Sequence, residues 1–215
     1  MAKGGDPTAT YGSHGDSMSL VEASQIDCLV KPGEPIRLNL GCGDKILPGY
    51  INVDVVSERA GNRPDFVTDI RDLKGIPDSF ADEVLAVHVV EHFWRWEVLN
   101  VLKEWCRVLK PGGKMILECP NLRSACEEFL KNDDLGALPG PEGQRTMWVF
   151  YGDPRWKDPL MVHRWGYTPM SLARVMHEAG LTELRQEPAQ FKLKEPRDMR
   201  ISGIKAETNL ERVWL

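Results

Sequence analysis

The chain has 215 residues, 42% of them hydrophobic, enough to bury one sizeable core, and its length argues for a single domain. A formal charge of −5 and a pI near 5.6 exclude whole-surface attraction to a nucleic-acid backbone, and no apolar stretch reaches the length of a signal-peptide core or a membrane span. Cys28, Cys42, Cys106, Cys119 and Cys126 are an odd count without a Cys-x-x-Cys pair, which fits a reducing, cytoplasmic setting.

Residues 1–20 are rich in Gly, Ser, Thr and Asp and lack a sustained apolar period. They read as a disordered or partly non-native N-terminus, with Met18 a candidate natural start, so that the domain is expected over 21–215. Residues 36–40 and 50–55 read as two short strands joined by a turn with two glycines, and Asp65–Asp69 as a third strand. The apolar run Glu83–Val90 suits a strand covered on both faces. Trp96, Leu99, Val101, Leu102, Trp105, Val108 and Leu109 then recur at helical spacing until Lys110-Pro-Gly-Gly113 ends the helix and turns the chain into a strand at Lys114–Cys119.

Leu122–Lys131 can form a further helix. From 132 to 167, scattered Gly and Pro among Trp148, Phe150, Tyr151, Trp156 and Trp165 read as a long lid-like insertion, a kind of segment that is usually functional or mobile. Thr168-Pro169 is a good cap and first helical residue, followed by Leu172, Val175 and Met176 and a stop at Gly180. Leu181–Glu187 and Met199–Ala206 are near enough in sequence to pair antiparallel at a sheet edge. The expected fold is a single α/β domain, a doubly wound, mostly parallel seven-stranded sheet with an antiparallel edge pair.

A glycine turn between two parallel strands makes a nucleotide-sized pocket. Gly41 and Gly43 let the backbone approach a ligand closely, and Asp54 at the end of the second strand is able to accept hydrogen bonds from a ribose; a tight structural turn and a capping carboxylate are the plainer alternatives. A dinucleotide site calls for a third glycine, but that position is Ile46. Asp54 also lies thirteen residues beyond Gly41, against roughly 20 in dinucleotide folds, and no Gly-Lys-Ser/Thr of a P-loop follows.

The segments Leu38–Asp44, Asn52–Asp54, Val67–Ile70, His88–Phe93, Val108–Gly113 and His163–Pro169, in that order, resemble the class I S-adenosylmethionine-dependent methyltransferases, specifically a small bacterial-type branch with mostly unassigned substrates. The resemblance implies a Rossmann-like methyltransferase fold. It also implies that S-adenosylmethionine has its methionine part against Leu40, Gly41, Cys42 and Gly43, its ribose on Asp54, and its adenine near Asp69 and Ile70. Val87–Val90, including His88, would close the pocket from the end of the fourth strand. The connection from Gly43 to Tyr50 is shorter than the full helix of many relatives.

His88-Val-Val-Glu-His92 has the His-x-x-Glu-His form of one zinc-peptidase class, but two histidines four residues apart share a face only in a helix, and His88 ends an apolar strand-like run. No metal is expected on this reading. Methyl transfer is a displacement that requires alignment and exclusion of water, with a base if the acceptor carries a proton. His92 and Glu91, just past strand four, are the first candidates for acceptor contact. His163 beside the insertion is the next, together with Arg164, Trp165 and Tyr167, which are as readily packing residues. Cys42 is better explained as a small apolar filler than as a nucleophile. The expected activity is methyl transfer from S-adenosylmethionine to a small-molecule or carbohydrate-linked acceptor, with neither general nucleic-acid binding nor a membrane span; a nicotinamide-type oxidoreductase and a non-catalytic binding module are the alternatives.

Overall fold

The computed structural model describes residues 25–131, 147–191 and 197–207. Seven strands form one sheet: β1 (Arg37–Leu40), β2 (Ile51–Asp54), β3 (Phe66–Val67), β4 (Ala81–Val87), β5 (Leu109–Pro120), β6 (Leu181–Glu187) and β7 (Asp198–Lys205). Their order is β3-β2-β1-β4-β5-β7-β6. The first five run parallel and β7 runs antiparallel to both of its neighbours, so the expected α/β sheet and its antiparallel edge pair are both present. Because β2 and β3 lie to one side of β1 while β4 and β5 lie to the other, the strand order reverses at β1 and opens a crevice at the carboxyl ends of the strands.

The central strands are apolar because both of their faces are covered; Leu38, Leu40, Val53, Val84, Leu85, Met115 and Leu117 are fully buried. Helices α1 (Val98–Val108), α2 (Leu122–Lys131) and α3 (Pro169–Glu178) follow β4, β5 and the insertion. The buried stripe of α1 is Val98, Val101, Leu102, Trp105 and Val108, the spacing of one helical face. Thr168 caps α3 in a reciprocal capping box with Ser171, and Pro169 occupies the first turn.

Most strand boundaries move by a residue or two, and two differ in kind from the sequence reading. The fourth strand stops at Val87, because His88 takes a left-handed backbone conformation (φ 55°) and Val90–His92 form a short 3-10 turn. Lys110–Gly113 is not a free turn, since β5 already starts at Leu109 and the register with β4 shifts between Ala81 and Glu83, absorbing the Pro-Gly-Gly segment as an irregularity in the ladder. The expectations for residues 1–20 and for 132–146 fall outside the described residues. What is described of the insertion holds 3-10 turns at Pro154–Trp156 and Pro159–Met161.

One side chain ties the helical layer to the crevice. Trp105 on α1 is fully buried, packs edge-on against Phe93, and donates its indole N–H to the carbonyl of Ile70 at 2.6 Å. Replacing it with phenylalanine keeps most of the volume but leaves that carbonyl unpaired, which costs about 1–3 kcal/mol. Thermal unfolding of Trp105→Phe is expected roughly 2–10 °C below wild type.

Candidate active site

β1 ends in the turn Gly41–Gly43. The amides of Gly41 and Cys42 both donate to the carbonyl of Val53 on β2, at 2.8 and 3.2 Å, which folds the turn over the end of that strand. Gly41 and Gly43 have φ of 67° and 56°, a region that side chains with a Cβ enter at a cost. The Asp54 carboxylate points at this turn: one oxygen accepts from the amide of Gly43 at 2.7 Å and the other from the amide of Val56 at 3.1 Å.

The short connection after Gly43 is held without a helix. Buried Asn52 accepts from the amide of Leu47 and from the side-chain amide of Asn39, and donates to Asp65 and to the carbonyls of Leu47 and Tyr50. Asn39 also donates to the carbonyl of Lys45. Two buried asparagines thus satisfy the backbone that a helix would otherwise satisfy internally.

The glycine turn and Asp54 line a single cavity of about 360 Å³, within the range of small-molecule sites. Cys42, Asp69, Ile70, His88 and His92 border it as well. Leu40 does not: it is fully buried in the core behind the turn, because it is the strand residue that packs inward. Glu91 and His163 are also absent from the wall and stand behind His92. Burial pushes the Cys42 thiol up to about 12, with the Asp54 and Asp65 carboxylates adding to it, so this cysteine is a neutral filler. Asp69 is gripped by the Arg71 guanidinium, whose hydrogen bonds hold the carboxyl below its usual range.

The far wall comes from residues that sequence reasoning left unassigned. Arg59, in the loop after β2, pairs with Asp158 at 3.0 Å and lies over the Trp156 ring, so it clamps the insertion across the crevice; Trp156, Leu160 and Met161 line the cavity there. Phe191 reaches it from the loop after β6. Only Trp156 carried a signal, as part of the aromatic-rich insertion, because a lone arginine in a polar loop looks like solvated surface.

Acceptor candidates separate into two groups. Arg164 lines the cavity and stacks on Trp94, and Trp165 is half exposed, whereas Tyr167 is buried in the core. The amides of Arg164 and Trp165 both donate to the backbone carbonyl of Glu91, bringing His163 beside the turn that carries Glu91 and His92. The rings of His92 and His163 meet edge to face with centroids 4.9 Å apart. His88 is set apart from this pair, between the carboxylates of Glu91 and Asp198 at 3.2 Å from each. Burial works to raise the Glu91 carboxyl, but the His88 imidazole 3.2 Å beside it outweighs that and holds it down at about 2. Burial also lowers His92 below the usual histidine value, which favours a neutral imidazole.

Residues 49–117 match the family model of the methyltransferase domain. No curated protein matches the chain. Among solved structures, a methyltransferase dependent on S-adenosylmethionine (SAM) from Archaeoglobus fulgidus is similar at 18% identity and TM-score 0.53, over 88% of this chain and 95% of that one. A Thermotoga maritima SAM-dependent methyltransferase, described as a possible histamine N-methyltransferase, is similar at 18% and 0.53, over 87% and 89%. A Methanosarcina mazei SAM-dependent methyltransferase is similar at 17% and 0.50, over 84% and 97%. At these identities the structures speak for the fold. Residues 49–117 thus read as a methyltransferase-domain segment, and the seven-stranded sheet that carries them has the Rossmann-like fold of these solved methyltransferases.

Proposed function

We propose that the chain is a class I S-adenosylmethionine-dependent methyltransferase, that the cavity holds S-adenosylmethionine between the Gly41–Gly43 turn and Asp54, and that the methyl group is passed to a small-molecule or carbohydrate-linked acceptor arriving from the His92 side. The observation that carries this reading is the 2.7 Å hydrogen bond from the Gly43 amide to Asp54, which puts the close-approach backbone and the acidic strand end on one cavity. When bound, the cofactor supplies a methyl group on a sulfonium sulfur. Asp54 would accept hydrogen bonds from the ribose hydroxyls, Ile70 and the Arg71-held Asp69 would border the adenine, and Cys42 and Val89, which also line the cavity, would pack against the remainder.

The protein's own part is to align and to exclude water. The Arg59–Asp158 clamp keeps residues 154–161 over the cavity, and we assign this part of the insertion a lid role on that basis. Half-exposed Trp156 and Trp165 and the stacked pair Trp94 and Trp96 present flat apolar faces near this end of the sheet, which suits a sugar or another amphipathic acceptor. Glu91, His92 and His163 supply lone pairs at the acceptor side. A cytoplasmic setting is supported by the odd count of five cysteines without a Cys-x-x-Cys pair. No helix among the described residues is long and apolar enough to cross a membrane.

Asp54→Ala is expected to weaken S-adenosylmethionine and S-adenosylhomocysteine about 10- to 100-fold in calorimetric titration, the loss of hydrogen bonds to a charged acceptor. Asp54→Asn, which keeps one acceptor oxygen, is expected to fall between. Undiminished affinity in a folded Asp54→Ala protein would remove the carboxylate from the site.

A further inference from the structure

We propose that Glu91, His92 and His163 form a binding site for a divalent transition metal ion, zinc being the best match, at the acceptor side of the cavity. One ligand atom from each of the three residues lies within 4.8 Å of the others. The trio is assembled by the fold: Glu91 and His92 stand on the 3-10 turn after β4, and His163 is brought in by the two amides of Arg164 and Trp165 that bond to the Glu91 carbonyl.

The hydrogen bonds of the two imidazoles leave the correct atoms available. His92 Nδ1 is 3.1 Å from the carbonyl oxygen of Val162, and His163 Nδ1 is 3.0 Å from that of Val149. A carbonyl only accepts, so each Nδ1 carries the hydrogen and each Nε2 keeps its lone pair. Backbone carbonyls behind the imidazoles are the usual support of metal-ligating histidines, since they fix tautomer and ring orientation together. Both Nε2 atoms are therefore ready to ligate without any change of protonation.

Glu91 is the second, independent observation. Its side chain is 3% exposed, and neither carboxylate oxygen makes an aligned hydrogen bond. Oε1 is 3.2 Å from His88 Nδ1 and 3.9 Å from His163 Nε2. His88 beside Oε1 offsets part of the cost of burying this carboxylate, and Oε2, which has no partner of its own, leaves a further cation able to offset the rest. Two ligand atoms on a tetrahedral zinc ion with bonds of about 2.0–2.2 Å lie about 3.3–3.6 Å apart. Binding would therefore draw these side chains closer together than their present spacing of up to 4.8 Å.

Two imidazoles and one carboxylate favour zinc or a neighbouring transition metal over magnesium, which prefers oxygen ligands. Three protein ligands leave a position open, the arrangement of catalytic rather than structural zinc. His92 reaches the cavity wall, so an ion held here borders the cavity, and a water or an acceptor oxygen would complete its shell. The geometry differs from the His-x-x-Glu-His reading of the sequence, in which His88 and His92 would have been paired. The site stands on its own geometry; its role toward an acceptor rests on the methyl-transfer reading.

The test is calorimetric titration of chelator-treated full-length protein with zinc chloride, with magnesium chloride in parallel and S-adenosylhomocysteine titrated into the same samples. One zinc per chain is expected, with no magnesium heat. Glu91→Gln and His163→Ala are each expected to weaken zinc at least tenfold while S-adenosylhomocysteine affinity stays within about threefold. A Cys28→Ser/Cys126→Ser double variant, which removes the two exposed thiols, is expected to bind zinc as wild type does. Visible absorption of the cobalt-loaded protein reports imidazole ligation, and its loss in His92→Gln supports the site. Absence of zinc binding in folded wild type, or equal affinity in Glu91→Gln and His163→Ala, overturns it. Zinc binding without S-adenosylhomocysteine binding supports the ion site and overturns its acceptor role.

Discussion

Glu118→Ala is expected to destabilise the protein by about 3–5 kcal/mol and to loosen the cofactor cavity with it. Glu118 lies on β5 and is completely buried, with one oxygen 3.2 Å from the guanidinium of Arg200, itself only 6% exposed. The same carboxylate accepts the amides of Gln190 and Phe191, both at 2.8 Å, and Arg200 lies over the Phe191 ring. Removing it would strand two backbone amides and one buried cation, and Glu187, 3.3 Å from Arg200, compensates only in part. Because Phe191 lines the cavity, cofactor affinity should fall alongside stability. Glu118→Gln keeps an acceptor oxygen and is expected to lose less. Urea unfolding with cofactor titration measures both effects. A Glu118→Ala protein as stable as wild type would show that the network is not what holds the loop.

Gly41→Ala should show the second-largest effect, about 2–4 kcal/mol of stability together with a sharp loss of cofactor binding. The backbone conformation alone costs a residue with a Cβ about 1–2 kcal/mol. The added methyl would then lie 2.7 Å from one Val89 methyl and 3.1 Å from the other, and Val89 is a buried, β-branched residue with little freedom to move. Gly43→Ala is the control, since it shares the left-handed backbone but its Cβ would meet only the Arg59 side chain at 3.6 Å. The expected order of melting temperatures is therefore wild type, then Gly43→Ala, then Gly41→Ala. The reverse order for the two variants would contradict the close contact with Val89.

Much of this architecture was legible where a segment's local chemistry and its tertiary role agree. Helix α2 has the expected bounds, Leu122–Lys131, and β6 the expected Leu181–Glu187; Thr168-Pro169 caps α3 as its composition suggested. The apolar run through Val90 misled because buried strand and buried turn share one hydrophobic signature, and only the left-handed His88 separates them. The Pro-Gly-Gly segment misled in the other direction, as strong turn chemistry was accommodated within a ladder. The cavity-lining residues Gly41, Cys42, Gly43, Asp54, Asp69 and Ile70 were readable because they cluster in short stretches at or near a glycine turn. Arg59, Leu160, Met161 and Phe191 were not, as each is ordinary in its local context and acquires meaning only by facing the crevice.

The amino-acid order alone established the parallel α/β sheet, the glycine turn, and the acidic end of β2, because periodicity, turn residues and strand ends are properties of neighbours along the chain. Only the folded chain decided that the Asp54 carboxylate turns onto the Gly43 amide, that Leu40 faces the core, and that His163 joins Glu91 and His92. Those are contacts across long stretches of sequence, set by how the insertion's end packs against the turn after β4, and no local pattern encodes the direction in which a side chain finally points.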